Sequence, residues 1–168
     1  MERGGLNKKL AEQVADSDFL ELFNKLALET KVPPSVIAVA LTENLKSLRR
    51  EGLEVDQLSD GQLGETIRLV DRGLLAKEAI PDVFAWLSKH PGASVVEAVD
   101  ALGLRALSEA ELRTVIDDTL REEGLAQERK GRESVPQLMG LVMRKVRGRA
   151  EAALVRRILE ERLERPTA

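Results

Sequence analysis

The residues of this chain that could do chemistry are arginines and lysines set around glycines. Between residues 129 and 157 stand nine Lys/Arg against two acids, Glu133 and Glu151, a local net charge of +7 in a chain whose whole is −3. They form two basic edges around an apolar stretch at 138–146. Arg129-Lys130-Gly131-Arg132 precedes it, and Arg144-Lys145-Val146-Arg147-Gly148-Arg149 follows. Arginine carries a rigid fork of N–H donors that matches phosphate oxygens. A glycine between two arginines lets backbone amides approach a ligand closely. A helix opening just after such a turn adds free N–H groups and the positive end of its dipole. The chemistry is therefore the gripping of a polyanion, not the making of bonds. The candidate contacts are Lys130, Arg132, Arg144, Lys145, Arg147, Gly148, Arg149 and Arg156. On charge alone a second reading is equally open, in which the same side chains only solvate a small domain.

No comparable set points to catalysis. There is one histidine, His90, placed before Pro91 at a helix end, where a surface or capping role is the ordinary one. There is no cysteine, so disulfides, thiolate metal sites and thiol nucleophiles are excluded. The acids mostly stand beside basic residues on polar helix faces, as in Glu160-Glu161-Arg162. No phosphate-binding loop of the Walker type occurs. The reading holds no catalytic residue, no metal ligand and no cofactor site. Three Phe, one Trp and no Tyr leave little with which to stack bases, so a nucleic acid would be met through its backbone and shape. Trp86 and Phe84 read as core. Without a signal-like N-terminus or an apolar run near membrane length, the expected compartment is the cytoplasm and no membrane partner is expected. The first five residues read as a loop or the cut end of a longer chain.

The elements that must position these residues are helices. The pattern predicts helices over about 6–29, with a possible break at Asp16-Ser17-Asp18 where Ser17 caps a second segment, and over 34–50, opened by Pro33-Pro34 and ended near Gly52. Three capping boxes, Ser59…Gln62, Ser94…Glu97 and Ser108…Glu111, open further helices. Another is predicted over 75–88, closed by His90-Pro91-Gly92. A polar connector at 124–133 leads to a helix capped by Ser134 with Gln137 and running to Arg147. Gly140 within it reads as room for close helix packing. The last helix is predicted to start at Ala150. The fold class is all-α, a helical bundle over 1–102 followed by a small helical tail module over 103–168. Charge is split, with 13 basic and 17 acidic side chains in 1–105 and 13 and 12 in 106–168.

One resemblance is specific. Ser108, Glu111 and Leu112 open a capped helix, Lys130-Gly131 stands in the connector, Leu138-Met139-Gly140, Val142-Met143 and Lys145 form the next helix, and Gly148-Arg149-Ala150 makes the turn. This pattern resembles the tail domain shared by amidotransferase B and E subunits and free-standing YqeY proteins. The earlier stretches L-N-K-K-L-A-E-Q-V-A-D-S-D-F-L-E-L-F and V-P-P-S-V-I-A-V-A-L-T-E-N-L-K-S-L-R-R-E-G resemble the helical region before the tail in the E-subunit family of archaeal glutamyl-tRNA(Gln) amidotransferases. The resemblance covers about residues 6–164 and implies the C-terminal, tRNA-gripping part of such a subunit. In that family the tail contacts the outer corner of tRNA, including the D-loop, during formation of Gln-tRNA(Gln). A separate catalytic cradle, none of whose residues map here, uses ATP, Mg²⁺ and ammonia. The implied partners are tRNA(Gln) and, through the full-length protein, the amidase D subunit. The alternative is a YqeY-like protein-interaction module that binds no RNA. DNA is not expected, because no set of Asn, Gln and Arg suited to reading bases lines the last helix.

Overall fold

The computed structural model describes residues 5–123, 135–146 and 148–164. The fold is all-α, and no β-strand occurs among the described residues. Two compact units divide the chain, Met1–Leu104 and Arg105–Ala168.

The first unit is built from α1 (Lys8–Ala15), α2 (Leu20–Glu29), α3 (Pro34–Val39), α4 (Leu45–Arg50), α5 (Asp60–Asp71), α6 (Ile80–Lys89) and α7 (Val95–Leu102). The break after Ala15 is complete. Ser17 does not cap α2: its hydroxyl donates to the Val14 carbonyl at 2.8 Å and accepts from Phe19 N–H at 3.2 Å, which makes it part of the turn. α3 and α4 are one helix joined by a wider π-helical turn at Ala40–Asn44, where one extra residue is accommodated. Within it the Thr42 hydroxyl donates to the Ala38 carbonyl at 2.7 Å. Ahead of this turn the helix packs on α1 and α2; beyond it, α4 packs on α6. Gly52, just past α4, has φ +85°, and Leu53 N–H closes back on the Leu48 carbonyl at 3.0 Å. That is the left-handed stop the sequence predicts. α6 begins at Ile80, five residues later than expected, after a short 3₁₀ turn at Lys77–Ala79. Pro81 explains the shift: it lacks an N–H and fits only the first turn of a helix. Leu26, Ile37, Leu63, Ile67, Phe84 and Leu87 lie fully inside the core of this unit. Leu104 belongs to the same core. Trp86 is only partly buried, and its ring stacks on His90 with centroids 3.8 Å apart. His90 is the C-cap of α6, its Nδ1 2.8 Å from the Trp86 carbonyl oxygen.

The second unit is α8 (Glu109–Glu122), α9 (Val135–Val146) and α10 (Ala152–Glu164). Apolar residues at i, i+4 spacing build its core: Leu112, Ile116 and Leu120 from α8, Leu138, Val142 and Val146 from α9, and Val155, Ile158 and Leu159 from α10. All three predicted capping boxes are formed, each with the serine hydroxyl accepting from the third helical N–H and the Gln or Glu reaching back to the serine N–H. The connector at 124–133 and the Ser134 cap lie outside the described residues.

Candidate nucleic-acid interface

The turn between α9 and α10 is built from residue 148 onward by backbone geometry. Gly148 has φ +75°, a left-handed conformation that other residues adopt only at a cost. Arg149 N–H donates to the Val146 carbonyl at 2.9 Å and closes the turn. The Arg149 carbonyl then accepts from Leu107 N–H at 2.8 Å. The Arg149 Nε–H donates to the Arg105 carbonyl at 2.9 Å. Backbone and side chain of one residue thus hold the segment that leads into α8. Ala150 is buried beside this junction.

This corrects one expectation. Helix α10 starts at Ala152, not at Ala150, because Arg149 is engaged with residues 105 and 107 and Ala150 is buried beside it. The Glu151 carbonyl accepts from Val155 N–H at 3.1 Å, so an acidic residue stands at the start of the helix. A carboxylate there already complements the positive end of the helix. It weakens the case for that end as a phosphate cradle. Arg149, in turn, is a structural anchor through its Nε.

The other expected contacts divide clearly. Lys145 is ion-paired with Glu122 across α8 and α9. Arg144 is exposed, with Nε–H 3.4 Å from the Gly140 carbonyl, a long contact along its own helix. Arg156 is exposed on α10. Neither Arg144 nor Arg156 is ion-paired with a described residue. Gly148 is at the turn. Lys130, Arg132 and Arg147 lie outside the described residues.

Other arginines in this unit are neutralised. Arg113 pairs with Glu109 and with Glu161, each at 2.8 Å. Arg157 pairs with Glu109 at 3.1 Å, and Arg162 with Asp117 at 2.8 Å. The hydrogen bond from Arg113 holds the Glu109 carboxyl below the usual carboxylate range, aided by the charges of Arg157 and Arg113. The same guanidinium lowers Glu161, while Glu109 and Glu161 together raise Arg113. Only the pairs within one helix, Glu109 with Arg113 and Arg157 with Glu161, have the i, i+4 spacing that sequence reveals. The cross-helix pairs carry no such signal.

Gly140 overturns its own expectation. It is exposed, and a Cβ built on it meets nothing within 4 Å among the described residues. No described helix packs there. The exposed line of α9 is therefore Gln137, Gly140 and Arg144, spaced one turn apart.

The GatB domain model matches residues 21–163, most of both units. The chain belongs to this family. As a GatB domain chain it is similar to the E subunit of glutamyl-tRNA(Gln) amidotransferase from Methanocaldococcus jannaschii, with 35% identity over 159 residues, covering 94% of this chain and 25% of that protein. The corresponding protein of Methanosarcina acetivorans is 34% identical over 165 residues, covering 95% and 26%. That of Thermococcus gammatolerans is 31% identical over 159 residues, covering 95% and 25%. The GatB domain chain thus spans about a quarter of the length of the curated relatives it matches.

Proposed function

We propose that this chain is the RNA-gripping part of a glutamyl-tRNA(Gln) amidotransferase subunit. It binds tRNA(Gln) at the outer corner, by the D-loop, and carries no catalytic residue of its own. Chemistry with ATP and Mg²⁺ belongs to a cradle outside this chain, and the amidase D subunit joins through the full-length protein, in the cytoplasm. The observation that carries the reading is the pairing of a GatB domain match over residues 21–163 with exposed arginines, Arg144 and Arg156, left over in a unit that neutralises Arg113, Arg157 and Arg162 internally. Unspent guanidinium groups and few aromatics suit phosphate and shape contacts on a folded RNA.

The test is binding of a tRNA(Gln) transcript followed by fluorescence anisotropy across about 50 to about 200 mM salt. The expected result is affinity that falls steeply with salt, and a shallower slope in Arg144→Gln/Arg156→Gln, about one unit per lost phosphate contact. Absence of tRNA binding at low salt overturns the reading. Arg149→Ala is not a clean probe, because Arg149 also anchors Arg105.

A further inference from the structure

An exposed glycine in mid-helix needs a reason. Gly140 is not among the glycines with positive φ, so the backbone does not require it. No side chain among the described residues occupies the space its Cβ would take. Compared with alanine, glycine in a helix interior carries a cost in stability. Nothing in the described fold offsets that cost.

The surroundings say what does. Arg144 lies one turn further along the same exposed line, and Gln137 one turn before it. Helix α9 contains no acidic residue. Its outward line Gln137, Gly140, Arg144 bears no apolar side chain, although exposed Pro136 and half-buried Leu141 and Met143 flank it. It offers instead a guanidinium, an amide with donors and acceptor, and between them a stretch of helix backbone stripped of its Cβ.

We propose that this face of α9 is where the ribose-phosphate backbone of a folded RNA closes onto the protein, with Gly140 as the point of closest approach. The inference rests on the RNA-binding reading above and adds a site to it. The missing Cβ admits a sugar or phosphate to van der Waals contact with the helix. Arg144 releases its long contact with the Gly140 carbonyl and forks onto a phosphate. Gln137 is placed to exchange hydrogen bonds with a 2′-hydroxyl or phosphate oxygen on the other side.

The test uses the full chain with Gly140→Ala, Gly140→Gln and Arg144→Gln, tRNA(Gln) transcript binding by anisotropy, thermal melting and sedimentation velocity. Gly140→Ala is expected to melt at the same temperature or higher, yet to bind severalfold more weakly. Gly140→Gln is expected to lose about tenfold or more in affinity with an unchanged salt slope, since it adds bulk and removes no charge. Arg144→Gln is expected to lower the slope by about one. Wild-type binding together with unaffected binding by Gly140→Gln overturns this site and leaves the broader reading standing. No binding by the wild type overturns both. A lower melting temperature for Gly140→Gln overturns the site by showing that the chain itself fills the space. Retained RNA binding with altered self-association assigns the face to protein and likewise overturns it.

Discussion

Arg149 and Arg105 are 44 residues apart in sequence, and the Arg149 Nε–H donates to the Arg105 carbonyl at 2.9 Å. This single contact, with the Leu107 N–H bond to the Arg149 carbonyl, fixes where α8 begins relative to the α9–α10 turn. Arg149→Ala is expected to destabilise the tail unit by about 1 kcal/mol. The Leu107 amide is expected to exchange faster with solvent. Urea unfolding and hydrogen exchange check this, and Arg149→Lys, which lacks a planar fork, recovers only part of the loss.

The left-handed turn at Gly148 gives a second outcome. With φ at +75°, Gly148→Ala is expected to cost about 1–2 kcal/mol through backbone strain. The loss appears in urea midpoints while far-ultraviolet circular dichroism keeps its helical shape.

Acid should loosen the ties between α8 and α10. Glu109 and Glu161 have folded values held below the ordinary carboxylate range by Arg113. Their contribution to stability is therefore present above the unfolded value and is lost as pH falls through the folded one. Glu97 and Glu111, held low first by the backbone N–H groups of Ser94 and Ser108, add the same sign. Unfolding free energy measured from about pH 6 down to about pH 3 is expected to fall. Arg113→Gln is expected to flatten that limb. An unchanged limb in this variant would show that the arginine does not hold the carboxylates.

Packing provides a fourth outcome. Leu138 is 1% exposed and shares a cluster with Leu112 and Ile116. Leu138→Ala is expected to cost about 2–5 kcal/mol, read from urea unfolding. Leu28, 79% exposed on α2, is expected to tolerate alanine within about 0.5 kcal/mol.

What sequence made legible was local. Ser59, Ser94 and Ser108 with their Gln or Glu partners three residues on marked three helix starts, because a capping box is closed within four residues. The buried residues of α8, α9 and α10 recur at the helical repeat, a pattern that sequence carries locally. What sequence hid was the tertiary competition for polar groups. Nothing local says that Arg149 would spend its Nε on Arg105, or that Lys145 would meet Glu122. Those choices moved the start of α10 and gave Arg149 and Lys145 partners within the tail unit. Gly140 was misread for a related reason: a glycine inside an apolar run resembles a packing point, and only the placement of its neighbours shows that it faces out.

The extra residue in the Ala40–Asn44 turn has a consequence for how this fold can change. Each residue advances a regular helix by about 100°, but the wider turn absorbs its extra residue, so deleting one residue there would restore a regular helix while the segments on either side keep their facing. Leu45 and Leu48 would then still face the core that α4 shares with α6. A single-codon deletion at this turn should therefore be better tolerated than one in the regular helix on either side of it. The turn acts as an absorbed insertion, a place where the length of the gene can change while the aim of the helix is kept.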